Sequence, residues 1–320
     1  MFNQILEEIK KYNTILIHGH IRPDGDCYGS QFGLYHIIKE NFPEKDVHVV
    51  GDKSSYVSFV GTPEKETITD EMYKGALAIV VDTGSADRVS DQRYTLADKV
   101  VKIDHHIAQI HYGDIVYVEE DTPACCQIVT KFAVETGLKL NEEAAFALYT
   151  GLVTDTGRFR FRGVDSNTMM AAATLLSYGV DVEKLDNYLS VETMNVIHLK
   201  GYVLQNAIFT PEGVAYVKIN KDVKASFNVS DEEAASQVGL LGSVEGYPCY
   251  CLFIEYDNEI RIRIRSRGPR VDKLANRYGG GGHEKAAGAR LATWEELPAF
   301  IEEFGKLNQY YQETGKDDLY

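Results

Sequence analysis

Three short, largely aliphatic runs, TILIH at 14–18, ALAIVV at 76–81 and VVKI at 100–103, lead into histidine or aspartate, the first across Gly19 and the other two at once. A strand that is apolar on both sides is stable only in a sheet covered on both faces, and such strands belong to parallel sheets. Thr14–His18, Val47–Val50, Ala76–Val81 and Val100–Ile103 therefore read as strands. Helical patterns fall between and after them. Tyr28–Glu40 carries apolar Phe32, Leu34, Ile37 and Ile38, and Glu142–Thr154 and Ser166–Tyr178 follow. The expectation is α/β, with an N-terminal doubly wound, mainly parallel sheet.

The pattern then changes. Asp181–Lys200 reads as a polar helical connector, and beyond it Gly213–Ile219, Pro248–Tyr256 and Glu259–Arg265 alternate like strands of a half-exposed sheet. Helical segments are expected at Val271–Tyr278 and Thr293–Asn308, and GKDDLY at the end reads as frayed. The division expected is 1–185 for a catalytic domain, 186–204 for a helical linker and 205–320 for a smaller mixed α/β domain, with the active site in the cleft between the two.

In 320 residues, 33 Lys+Arg stand against 48 Asp+Glu, a formal charge of −15. That acidity argues against binding long nucleic acid, which needs clustered basic residues. No apolar run approaches the ~20 residues that span a bilayer, so no membrane role is expected. MFNQILEEIKKY is amphipathic and charged, unlike a secretory signal. Five cysteines, with Cys125–Cys126 adjacent and Cys249 and Cys251 one apart, make neither a disulfide framework nor a zinc pairing. A reducing cytoplasm is the expected setting.

The chemistry gathers where strands stop. His20, Asp24 and Asp26 follow the first, Asp82 the second, and Asp104, His105 and His106 the third; Asp155 closes a helix. Singly, each has an ordinary explanation, because an Asp after a strand is most often a helix cap or turn former. Ligands of open parallel sheets lie outside the carboxyl ends of the strands, so these groups should share one rim. Five carboxylates there without a cation would repel one another. Two divalent ions resolve the conflict, one on His20, Asp24 and Asp82 and one on Asp26, His105 and Asp155, with Asp82 bridging. Mixed imidazole and carboxylate donors suit Mn²⁺. Such a pair supplies a bridging hydroxide near neutral pH for in-line displacement at phosphorus. Asp82 and His105 then serve both metal and catalysis. Asp104 orients a neighbouring imidazole, and His106 is left for a phosphate oxygen or the leaving group.

The second half carries a different set. Arg261, Arg263, Arg265 and Arg267 alternate with Ile262, Ile264 and Ser266, which puts guanidiniums on one strand face, and guanidinium matches phosphate in a fork. Four glycines, Gly279–Gly282, run into His283, Glu284, Lys285, Ala286, Ala287 and Gly288. The glycines let backbone N–H groups approach an anion, and the small residues after them read as a compact helix start.

HGHIRPDGDCYGS, VVDTGS, IDHH and GLVTDTGRF resemble the four motifs of the DHH phosphoesterases, and RIRSRGP with GGGGHEKAAG resembles the signature of the DHH-associated C-terminal domain. The resemblance covers nearly the whole chain, and length and layout look most like the bacterial nanoRNases. It implies the same six manganese ligands, His20, Asp24, Asp26, Asp82, His105 and Asp155, with Mg²⁺ or Co²⁺ as substitutes. It also implies substrate contacts at His106, Arg158, Arg265, Ser266, Arg267, Gly281, Gly282 and His283. The substrates implied are short oligonucleotides, linear dinucleotides such as pApA, and adenosine 3′,5′-bisphosphate (pAp). A homodimer is left open. Two other readings compete. A pyrophosphatase-like enzyme would share the first domain but has less use for the arginine strand, and a non-catalytic nucleotide sensor would have no need of all six ligands.

Overall fold

The computed structural model describes residues 1–107, 112–161 and 163–320. The chain forms two compact units, Met1–Val191 and Glu192–Tyr320.

In the first unit five parallel strands, β1 (Thr14–His18), β2 (Asp46–Val50), β3 (Leu77–Val81), β4 (Lys99–Asp104) and β5 (Ile115–Val118), lie in the order β2-β1-β3-β4-β5. Alternate residues divide the core. Ile15, Ile17, Leu77, Ile79, Val81, Val101 and Ile103 pack with the buried faces of α1 (Phe2–Lys11), α2 (Gly25–Asn41), α3 (Cys125–Thr136) and α4 (Glu142–Asp155). Leu16 and Val50 meet Ile68, Tyr73 and Ala76, while Ala78 and Val80 meet Val89 and Tyr94. Among the described residues, the second face is thus covered by 3-10 turns and loops. Helices α5 (Ser166–Leu176) and α6 (Val182–Ser190) complete the unit. The direction of strand addition reverses at β1, so the switch point falls between the ends of β1 and β3.

Glycines set how closely α2 and α4 approach. A Cβ on Gly29 would lie 2.6 Å from the Ala147 carbonyl, and one on Gly151 would lie 2.9 Å from Asp26 Cα. Gly25 and Gly33, one turn either way along α2, are closed off in the same manner by Thr154 and Leu148. This contact brings Asp26, in the first turn of α2, beside the end of α4.

Strand β5 and helix α3 are not among the elements expected from the sequence. Helix α3 lacks a capping side chain of its own, because Ala124 stands at its N-cap. The Asp26 carboxylate caps it from α2, accepting the Cys125 N–H at 2.5 Å and the Cys126 N–H at 2.9 Å.

The second unit opens with α7 (Met194–Gln205). Its strands are β6 (Ile208–Phe209), β7 (Val214–Ile219), β8 (Cys249–Glu255), β9 (Ile260–Ser266), β10 (Gly281–His283) and β11 (Ala286–Leu291), in the order β10-β11-β9-β8-β7-β6. Only β7 and β8 pair in parallel. Ile260, Ile262 and Ile264 face α10 (Asp272–Arg277) and α11 (Leu297–Thr314). On the other face, β7 and β8 pack with α7, α9 (Asp231–Ser236) and the 3-10 segment Gln237–Ser243; α8 (Lys221–Phe227) lies alongside.

Two expectations are corrected here. The glycine run does not start a helix: it forms the β10–β11 hairpin, with Gly281 opposite Gly288 and His283 opposite Ala286. A Cβ on Gly280 would lie 1.9 Å from the Gly288 carbonyl, and Gly282 has φ +141°, so close approach and backbone conformation both exclude side chains. Nor is the C-terminus frayed: Asp317 accepts the Arg270 N–H, and the Tyr320 hydroxyl donates to the Glu303 carbonyl.

Candidate metal centre

The ends of β1, β3 and β4 and the ends of α2 and α4 meet on one rim. His20 follows β1, and its Nδ1–H donates to the Ile21 carbonyl at 2.9 Å. Nε2 is then the lone-pair nitrogen, 3.5 Å from Asp82 Oδ2 and 3.7 Å from Asp24 Oδ1. His105, after β4, is fixed in the same tautomer by the Thr122 carbonyl at 2.9 Å. Its Nε2 lies 3.3 Å from Asp82 Oδ1, 3.6 Å from Asp155 Oδ2 and 3.7 Å from Asp26 Oδ2. Backbone carbonyls thus orient both imidazoles with their basic nitrogens toward carboxylates, the arrangement that serves a metal ligand.

Asp82 stands between them with one oxygen toward each ring. It is 1% exposed, Oδ1 accepts no hydrogen bond among the described residues, and φ is +51°. A non-glycine residue in the left-handed region costs about 1–3 kcal/mol, and such strain concentrates at functional sites. Asp155 lies at the C-terminal end of α4, where the helix dipole disfavours an anion.

The field at this rim is strongly negative. Burial, then the charge of Asp82, raises Asp26 above the ordinary carboxylate range. Burial and the charges of Asp26, Asp82 and Asp24 raise Asp155. Burial alone would lower His105, but the close carboxylate of Asp82, with the charges of Asp26 and Asp155, lifts it to about 10. His20 is also raised: burial opposes this, and Cys27, Asp24 and Asp82 outweigh it. Burial works against Asp82 ionising, yet the surrounding imidazoles hold its carboxyl low. Such a cluster calls for positive charge, which protons supply when metal does not.

Three sets of ligand atoms lie within 4.8 Å of one another among the described residues: His20, Cys27 and Asp82; Asp82, His105 and His106; and Asp26, His105 and Asp155. An unpartnered buried carboxylate oxygen, two tautomer-locked imidazoles and a shared Asp82 fit divalent metal. Asp24 sits at the edge, half exposed, with Oδ1 accepting the N–H groups of Asp26 and Cys27 as the cap of α2.

Asp104 is buried behind the rim. Its Oδ1 accepts from the His105 and His106 N–H groups and from His106 Nδ1 at 2.8 Å. Its Oδ2 is paired with Lys102 Nζ at 2.9 Å, both side chains being fully buried. Lys102 also donates to the Gly84 carbonyl, tying the loop after Asp82 to the loop of His105 and His106. Lys102 is not among the expected site residues, although a lysine inside VVKI is an anomaly in a buried strand. Cys27 carries no expected role either, and the Ile21 and Thr122 carbonyls have no sequence signal at all.

The substrate candidates are more dispersed. Arg158, at φ +60°, pairs with Asp186 and donates to Ser190 Oγ on α6. Arg261, Arg263 and Arg265 share the face of β9 opposite the isoleucines. Arg261 pairs with Glu259, and Arg265 donates to the Ile264 carbonyl. Arg263 is exposed, with Gly288 opposite it on β11. Ser266 points into the core and accepts the Gly268 N–H, while Arg267 donates to the Val244 carbonyl. Gly281, Gly282 and His283 form β10.

The sheet order and this rim of histidine and aspartate define a phosphoesterase of the DHH type. The chain belongs to the DHH family: residues 14–152 match the DHH family, N-terminal domain, and 212–309 match the DHHA1 domain. It is 38% identical over 304 residues to the bifunctional oligoribonuclease and PAP phosphatase NrnA of Bacillus subtilis, covering 94% of this chain and 96% of that one. It is 36% identical to the probable NrnA of Streptococcus mutans, covering 96% and 98%. In fold it matches an exopolyphosphatase-related protein from Bacteroides fragilis with TM-score 0.89 at 22% identity, covering 98% and 97% of the two chains. The chain is a hydrolase of phosphoric esters. Among the described residues, no helix is long and apolar enough to cross a membrane.

Proposed function

We propose that the chain hydrolyses short oligoribonucleotides, linear dinucleotides such as pApA, and pAp in the cytoplasm, using two Mn²⁺ ions. The observation that carries this is the pair of imidazoles whose Nδ1–H groups are held by the Ile21 and Thr122 carbonyls while both Nε2 atoms face Asp82. One ion would rest on His20, Asp82 and Asp24, the other on Asp26, His105 and Asp155, with Asp82 shared. Bound divalent metal supplies Lewis acidity and a water whose pKa falls to roughly 7.

The remaining work belongs to the protein. Asp104 takes the Nδ1–H of His106, which aims the opposite edge of that ring at a phosphate oxygen or at the leaving group. The arginine face of β9 supplies phosphate or base contacts, with the small residues Ala286 and Gly288 opposite Arg265 and Arg263 leaving room for a flat ligand. A concentrated grip of this kind suits short substrates, in keeping with the two relatives' names. The test is a Mn²⁺ assay across pAp, pApA, a five-nucleotide RNA, a long RNA and pyrophosphate. Turnover should favour the first three; preference for pyrophosphate would replace this reading with the pyrophosphatase one.

A further inference from the structure

The His20 side of the rim contains a donor that the ligand set above does not use. His20, Cys27 and Asp82 each present one ligand atom within 4.8 Å of the other two, and all three residues are buried. Cys27 is fixed in the first turn of α2 by donation of its N–H to Asp24 Oδ1. Its sulfur packs directly over Gly19, where a Cβ would come within 2.3 Å of Sγ, so the glycine before His20 makes room for the thiol. The same cluster contains the almost wholly buried Asp82, whose Oδ2 lies 3.5 Å from His20 Nε2.

We propose that Cys27 is a further metal donor, giving this side of the centre a nitrogen, oxygen and sulfur set that binds thiophilic divalent ions such as Cd²⁺ or Zn²⁺. This rests on the metal-centre reading above and sharpens it. Carboxylate and imidazole donors accept Mn²⁺, whereas a thiolate selects softer ions. Binding forms a metal–sulfur bond and releases the thiol proton to solvent. An ion held in this way occupies the His20 position, so Cd²⁺ should compete with Mn²⁺ there.

The test is titration of the metal-free full-length protein with Cd²⁺, following the ultraviolet thiolate-to-cadmium charge-transfer band, with Mn²⁺ binding measured in parallel by electron paramagnetic resonance. The expected result is a band saturating at one ion per chain. It should be lost in both Cys27→Ser and Cys27→Ala, retained in Cys126→Ser, and accompanied by undiminished Mn²⁺ binding in Cys27→Ser. A band that survives both Cys27 substitutions overturns the proposal. So does a wild-type protein that binds Mn²⁺ but shows no band, which leaves the metal centre itself intact. If neither ion binds, the metal-centre reading fails with it.

Discussion

Replacing Lys102 by methionine removes an ammonium that is fully buried and lies 2.9 Å from an equally buried carboxylate, Asp104 Oδ2. Methionine keeps most of the volume, so packing against Tyr112, whose ring lies 4.7 Å from Nζ, is largely preserved. What remains is an uncompensated buried charge. Breaking a buried pair by removing one partner costs about 3–5 kcal/mol. The three donors on Oδ1 soften this, which places the expectation at the lower end, about 3 kcal/mol. At about 2–4 °C per kcal/mol for a unit of this size, Tm should fall by about 6–12 °C. The assay is thermal and urea unfolding of Lys102→Met, Asp104→Asn and the double variant. The double variant should recover most of the loss, because it buries no charge while the amide oxygen still accepts from His106. A single variant costing under about 1 kcal/mol, or a double variant no more stable than Lys102→Met, would refute the reasoning.

Three further outcomes follow from the same structure. Gly29→Ala sets a Cβ 2.6 Å from a backbone carbonyl of α4, so the helices must part. A loss of about 1–3 kcal/mol should come with weaker Mn²⁺ binding, read by denaturation and titration. Metal-free protein should lose stability as pH rises. Asp26 and Asp155 are held above their ordinary 3.8, so the fold keeps protons there that the unfolded chain releases. His105 is raised from 6.5 to about 10, so its contribution is complete below 6.5 and lost as pH climbs through 10. Tm against pH should therefore slope downward without Mn²⁺ and flatten with it. Finally, Arg263→Ala should raise KM for pApA about tenfold or more, the worth of one charged hydrogen bond, while leaving kcat unchanged.

Strands and candidate donors were legible because aliphatic runs ending on Asp or His mark both a buried parallel strand and its chemically active end. His20, Asp82 and His105 come together for that reason. Helix α3 was not legible, since its cap is a side chain 99 residues upstream. The hairpin at 281–291 was misread because Ala-Ala-Gly is helix-like in composition, whereas the spacing between β10 and β11 is what demands the glycines. Cys27 and Lys102 matter through contacts across the fold, which local patterns do not encode. The backbone carbonyls that fix the two imidazoles have no residue type to betray them.

The most direct measurement is turnover of pApA by chelator-stripped protein before and after Mn²⁺ is added back, with His105→Ala alongside. No hydrolysis when stripped, recovery on addition, and no recovery in His105→Ala are predicted. Hydrolysis that persists through stripping, or that survives the loss of His105, would contradict a metal centre at this rim.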